Sequence, residues 1–234
     1  RLHKTLDHEV EVLQHQFMRN TVRSLRAEAR FLDRNRVSLV TEQGEHSEAT
    51  FDYALISVGT RPHRPDHVPF DQKRVFDSDE MLDLDRLPRT LTVIGGGVIG
   101  VEYATIFSAL DVPVTLVEPR QHILEFIDRE VVEDFIHQMR DRGMTVRLGS
   151  AVKEIVSKPE TAEVVLTDGR VVRSEMILYA AGRTGNVSRL GLETIGVEAD
   201  SRGRIKADPV SFQTSVANIY AAGDVIGFPS LAST

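Results

Sequence analysis

The chain has 234 residues, 41% hydrophobic and 27% charged, with net charge −7; it is long enough for two modest domains, and its scattered basic residues exclude nucleic acid as an expected partner. No apolar run approaches the ~20 residues of a membrane helix, and Arg1 to Gln16 lack the apolar centre of a signal peptide, so no membrane partner is expected and the cytoplasm is the default location. The absence of cysteine excludes a disulfide framework, a thiolate metal site and a catalytic thiol within these residues.

The sequence starts at Arg1 without a methionine and stops at Leu231-Ala232-Ser233-Thr234 without a helix stop signal, so a portion of a longer protein is expected. From Leu2 to Leu25, Leu6, Val10, Leu13, Phe17 and Val22 recur at helical spacing between charges and predict an amphipathic helix. His3, His8 and His15 lie in it at spacings that give no i, i+4 pair, so they read as solvated surface and no metal site is assigned. Short alternating runs, Glu28 to Leu32, Val37 to Val40 and Ala49 to Tyr53, then predict an antiparallel meander. The apolar run Tyr53 to Val58 reads as a buried strand ending at Gly59-Thr60-Arg61-Pro62, either a plain loop or a turn where a ligand approaches closely. Residues 61–71, with three prolines, read as a linker. Asp77-Ser78-Asp79-Glu80 then reads as the capped start of a short helix.

The most informative stretch runs from Leu91 to Glu118. An apolar β run enters Gly95-Gly96-Gly97, the period becomes helical after Gly100, and a second apolar run, Val114 to Val117, ends on Glu118. This is a βαβ unit with G-x-G-x-x-G at Gly95, Gly97 and Gly100 and an acid about twenty residues further on. The first glycine permits the tight turn, the second lets a pyrophosphate approach the backbone, and the third lets helix pack on strand. Phosphates would sit on the helix N-terminus, and Glu118 would accept hydrogen bonds from an adenosine ribose. The alternative is a glycine turn used only for packing. Arg120 has two readings as well, a cation for a ribose 2′-phosphate or a solvated turn residue.

Beyond Glu118, a helix is expected from Asp128 to Arg142 with Val131, Phe135 and Met139 inward, then a third parallel strand from Met144 to Leu148. Val152 to Ser157, Ala162 to Thr167 and Arg170 to Val172 form an antiparallel excursion turned at Thr167-Asp168-Gly169, and Met176 to Ala180 returns to the main sheet. A short helix near Ser188 to Ile195 and strands at Arg204-Ile205 and Ile219 to Ala221 complete the pattern. Asp224, just past the last strand, reads alone as a turn or cap; a polyol acceptor is the alternative.

LISVGTRP, VIGGGVIGVEYA, LYAAGRTGN and IYAAGDVIGFPSLAS, in this order and spacing, resemble the two-dinucleotide flavoprotein oxidoreductases related to glutathione reductase and dihydrolipoamide dehydrogenase. The resemblance implies an α/β fold in which a Rossmann-like NAD(P)-binding domain, residues 79–183, is inserted into a partial FAD-binding domain of the glutathione-reductase type, residues 1–78 and 184–234. It implies that Gly95, Gly96, Gly97, Val98, Ile99, Gly100, Val101, Glu102, Glu118, Val152 and Gly182 line the nicotinamide nucleotide, with Glu102 near the flavin–nicotinamide contact and Arg183 near a ribose or phosphate. Gly59, Thr60, Asp224, Ser230, Leu231, Ala232 and Ser233 would approach FAD, with Asp224 on the ribitol chain.

Where the lipoamide and glutathione enzymes usually carry proline this chain has Gly185, and where lipoamide dehydrogenases tend to end in L-A-H it has Leu231-Ala232-Ser233; both look like the transhydrogenase branch. The activity implied is hydride transfer between NADPH and NAD through FAD, with nicotinamide nucleotides as substrates and no side chain of this chain assigned as catalytic. A homodimer is implied through a domain beyond Thr234. A disulfide reductase or lipoamide dehydrogenase is the first alternative, and a non-catalytic nucleotide-binding module the second.

Overall fold

A computed structural model describes residues 2–227. The chain divides into a continuous central unit, Thr60–Thr184, and an outer unit drawn from the segments before Thr60 and after Thr184. The outer unit begins with helix α1 (Leu2–Arg19), shorter than expected because Thr21 takes a positive φ of 59°, which helix cannot continue through. Its apolar residues Leu6, Val10, Leu13 and Phe17 are 43–52% exposed. The meander is β1 (Ala27–Asp33), β2 (Arg36–Thr41) and β3 (His46–Thr50), paired antiparallel in that order. The third strand starts earlier than the sequence suggests. Gly44 at φ 80° makes a tight turn closed by Thr41 N–H to Glu45 O at 3.0 Å, and that sets Val40 opposite His46. The next strand, β4 (Ala54–Ile56), is also shorter than expected, and only Ile56 is buried; Leu55 is 63% exposed.

In the central unit, β5 (Thr60–Pro62) is followed by an ordered stretch rather than the expected linker: Val68 is buried, and the Arg64 guanidinium lies 4.3 Å over the Phe70 ring. Asp71 closes the turn into β6 (Val75–Phe76), its carboxylate accepting from the N–H groups of Lys73, Arg74 and Val75. Residues 60–78 therefore pack in this unit, because β6 is an edge strand of its sheet. Asp77 and Glu80 cap each other reciprocally: Asp77 accepts from Glu80 N–H, and Glu80 accepts from Asp77 N–H, both at 3.0 Å. They start a single 3-10 turn, Glu80–Asp83.

The sheet's remaining strands are β7 (Leu91–Ile94), β8 (Val114–Val117) and β9 (Thr145–Arg147), with helices α2 (Val98–Ala109) and α3 (Arg129–Asp141) between them. The antiparallel excursion is β10 (Val152–Ser157), β11 (Ala162–Leu166) and β12 (Val171–Ser174), and the chain returns through β13 (Met176–Tyr179). The five-stranded sheet has the order β6-β13-β7-β8-β9, all parallel.

Side-chain alternation sorts the core into two layers. Leu91, Val93, Val114, Leu116, Met176 and Leu178 face one cluster with Ala104, Phe107, Val132, Ile136 and Met139 of the helices. Ile94, Val117 and Ile177 face another with Ile155, Val164, Leu166 and Val172 of the excursion. A sheet covered on both faces explains the uninterrupted apolar strands. On α3 the buried positions are Val132, Ile136 and Met139, while Val131 is 59% exposed, so the inward face lies one residue on from the expected Val131. At the amino end of β13, Glu175 is buried and accepts from Arg86 Nη2 at 2.7 Å and the Arg89 N–H at 2.6 Å.

The chain leaves through β14 (Arg183–Gly185), which pairs with β5. The outer unit resumes with α4 (Leu192–Ile195), shorter than expected because Gly191 before it is left-handed at φ 69°. It closes with β15 (Ile219–Ala221), which pairs parallel to β4 with Ile219 opposite Ala54. Phe31, Ile56, Ile195, Ile205, Ile219 and Val225 form its core.

Candidate nucleotide-binding site

The site grows from the carboxyl ends of β7 and β8. Gly95 leaves β7 at φ 114°, and a Cβ there would stand 2.6 Å from the Ala180 carbonyl oxygen, so only glycine fits this turn. Gly100 is packed as tightly, with its Cβ position overlapping the Gly95 carbonyl oxygen. Gly97 differs: nothing lies within 4 Å of where its Cβ would be. It is the N-cap of α2, and no side chain caps the helix. The open face at Gly97 and the uncapped N–H groups of Val98, Ile99 and Gly100 suit a pyrophosphate. Val101 and Glu102 complete the first turn, Val101 buried and Glu102 exposed. Beside them Tyr103 donates to the Ser78 carbonyl at 2.8 Å, and burial followed by the charges of Asp79 and Glu102 pushes its hydroxyl up.

Glu118 follows β8 and is 2% exposed. Its Oε2 accepts from Gly96 N–H at 2.5 Å and Arg120 Nη2 at 3.2 Å, and its Oε1 accepts from Arg120 N–H at 2.9 Å and Arg120 Nε at 2.8 Å. Burial pushes the carboxyl up, but the hydrogen bonds from Arg120 and Gly96 outweigh it and hold the group below the ordinary carboxylate range. The Arg120 guanidinium, held above its usual value first by the bond to Glu118, reaches Glu125 Oε2 at 2.9 Å on its other side.

The loop that carries these groups is marked by no periodicity in the sequence. Ile123 is fully buried against Gly96, and Leu124 N–H donates to the Gly96 carbonyl at 3.1 Å. The middle glycine of the triplet is therefore required by Ile123 and Glu118, whose atoms a Cβ would meet. An isolated isoleucine after a polar turn was the one available signal.

The other expected residues are spread over both units. Val152 opens β10, partly buried against the second core layer. Gly182, at φ 108°, has its carbonyl engaged by His63 N–H at 3.0 Å. Arg183 donates to Thr60 twice, Nε to Oγ1 at 2.6 Å and Nη2 to the carbonyl at 2.8 Å, so two of its nitrogens tie β14 to β5. Gly59 and Asp224 belong to the outer unit, at the carboxyl ends of β4 and β15. Gly59 at φ 63° and Gly223 at φ 77° both have open space where a Cβ would stand. Asp224 is half-buried in the 3-10 turn Gly223–Ile226. Ser230, Leu231, Ala232 and Ser233 lie outside the described residues. At Gly185 a Cβ would overlap the Gly203 carbonyl oxygen, so close backbone approach accounts for the glycine.

Comparison with known proteins agrees with this architecture. Residues 3–234 match the family described as pyridine nucleotide-disulphide oxidoreductase. The chain is 45% identical over 228 residues to a protein named soluble pyridine nucleotide transhydrogenase from Mycobacterium bovis, covering 97% of this chain and 48% of that protein. With the protein of the same name from Photorhabdus laumondii it shares 40% identity over 233 residues, covering 100% and 50%. The crystal structure of LpdA from Mycobacterium tuberculosis superposes with a TM-score of 0.91 at 28% identity, covering 98% of this chain and 51% of that one. RclA from Escherichia coli, described as an HOCl-induced flavoprotein disulfide reductase, gives 0.81 at 25%, covering 97% and 52%. The chain thus spans about half the length of these relatives. A parallel sheet with a glycine-rich turn, and a family match running nearly end to end, lead to one conclusion: the chain belongs to the pyridine nucleotide-disulphide oxidoreductase family.

Proposed function

We propose that the central unit binds NAD and NADP, that the outer unit forms part of an FAD-binding domain, and that the full-length protein is a transhydrogenase passing hydride between NADPH and NAD. The observation that carries the reading is the open, uncapped cradle at Gly97 and α2 with a carboxylate–guanidinium pair at the end of the adjacent strand. Gly95 to Gly97 and the first turn of α2, Val98 to Glu102, would hold the pyrophosphate, and Glu118 and Arg120 the adenosine ribose; Val152 and Gly182 would flank the nucleotide. The names of the relatives from Mycobacterium bovis and Photorhabdus laumondii favour the same reaction.

Gly59, Thr60 and Asp224 are the residues of this chain proposed to face FAD. Open glycines at the carboxyl ends of two paired parallel strands fit a second nucleotide. FAD, when bound, supplies the hydride relay; the protein supplies position and electrostatics. Because no cysteine lies in this chain, none of its side chains can supply a thiol to dithiol chemistry. On the family resemblance alone, the full protein is proposed to be a cytoplasmic homodimer.

The test is the reaction of the full-length protein. Hydride transfer from NADPH to a thio-analogue of NAD, with ping-pong kinetics undiminished by thiol alkylation, is expected. Rapid reduction of lipoamide or a glutathione-type disulfide, lost on alkylation after reduction, would establish the disulfide-reductase alternative instead, the activity named for RclA.

A further inference from the structure

A carboxylate offers about four in-plane acceptor positions, and at Glu118 all four are taken: Oε1 by the N–H and Nε of Arg120, Oε2 by Gly96 N–H and Arg120 Nη2. With Glu118 only 2% exposed, a ribose hydroxyl finds no acceptor there in this arrangement. Two of the four donors are backbone groups, of the Gly96 turn and of the Arg120 loop, which are held together by buried Ile123 and by Leu124 N–H on the Gly96 carbonyl. The other two belong to one guanidinium on a side chain 47% exposed. The donor free to leave is therefore the Arg120 side chain, and its departure uncovers one position on each carboxylate oxygen.

We infer that Arg120 is a movable mask that gives one ribose subsite two specificities, a deepening of the NAD(P) reading above. With the guanidinium seated on Glu118, the carboxylate is neutralised and covered, and the exposed face of the guanidinium meets a nucleotide bearing a 2′-phosphate. With the guanidinium swung away, Glu118 accepts from the hydroxyls of a nucleotide without that phosphate. The seat is supported from behind by Glu125, which holds Nη1 at 2.9 Å. The same side chain is thus a ligand for one nucleotide class and a competitor for the other.

The experiment is calorimetric titration of the full-length flavoprotein with ADP-ribose and with its 2′-phosphate, probes that carry the subsite contacts and cannot reduce the flavin. Arg120→Ala should weaken the 2′-phosphate ligand by about tenfold or more, the loss of a charge-assisted contact, while ADP-ribose binds as tightly as to wild type or up to about tenfold tighter. Arg120→Lys keeps the charge but cannot cover both oxygens together, so it should hold the 2′-phosphate ligand within about threefold of wild type and tighten ADP-ribose. Parallel weakening of both ligands in both variants would overturn the mask and leave Arg120 a support for Glu118. No change in either variant would overturn it as well, making Arg120 a surface residue. Failure of the wild-type protein to bind either probe would reject the nucleotide-binding reading itself.

Discussion

The three glycines of the turn are distinguished by what surrounds them. At Gly97 a Cβ meets nothing within 4 Å, so Gly97→Ala should fold with an unchanged melting temperature yet bind ADP-ribose at least about tenfold more weakly, because the methyl group would fill the space proposed for a pyrophosphate. Gly100→Ala should lose folded protein outright, since its methyl would overlap the Gly95 carbonyl. Circular dichroism melts beside titration separate the two outcomes; equal destabilisation of both variants would contradict the geometry. Glu118→Ala removes an acceptor whose bond is worth ~1.5–3 kcal/mol, an upper bound because the Arg120 guanidinium must first leave it, so in titration NADH should bind at most about a hundredfold more weakly. Glycine spacing and the acid at the strand end were legible in the sequence because they follow from local backbone needs. Occupancy of Glu118 by Arg120 was not, since two side chains two residues apart in a turn can point either way until Ile123 buries itself and fixes the loop.

At the scale of elements, apolar runs identified the parallel strands well because both faces of the sheet are covered. Boundaries set by positive φ, as at Thr21 and Gly191, escaped the pattern. The stretch 61–71 escaped it for another reason: three prolines suggest a linker, but the order comes from long-range contacts of Arg64 and Asp71 that no local signal encodes. Two features of the strands can be tested. Thr92, in β7, is fully buried with a hydroxyl that has no partner among the described residues. Thr92→Val should therefore stabilise the protein by about 1 kcal/mol in urea unfolding; destabilisation would mean the hydroxyl is satisfied.

Glu175 is held at about 2, first by the hydrogen bond from Arg86 and then by Arg89 N–H. Its folded value lies below the unfolded one, so its contribution is complete above about pH 4.5 and is lost as the pH falls toward 2. Arg86 and Arg89 are largely exposed, which limits the contribution to about 1–2 kcal/mol. Glu175→Gln should lower stability by that amount at pH 7 and remove part of its fall below pH 4.5; an unaltered acid profile would show the cluster to be energetically silent.

For the whole molecule, the middle domain expected from the sequence begins at 79, and the continuous compact unit of the structure begins at Thr60. The sheet edge β6 lies before the glycine-rich unit, and two residues are too short a run to announce a strand. Because the central unit is continuous and has its own two-layered core, residues 60–184 alone should unfold cooperatively and bind ADP-ribose. A fragment that is molten or binds nothing would show that the unit depends on its surroundings.

The pairing of β5 with β14 bears on how the chain folds. It brings the two ends of the central unit side by side, so once that unit has formed, the outer segments are joined by what is in effect a short hairpin. Were Thr60–Thr184 still unstructured, bringing β4 and β15 together would close a loop of more than a hundred residues instead of the few tens that lie between β14 and β15, at an entropic cost higher by about 1 kcal/mol. Prior folding of the insert is therefore expected to speed the pairing of the outer strands, as a consequence of the shorter loop they then close.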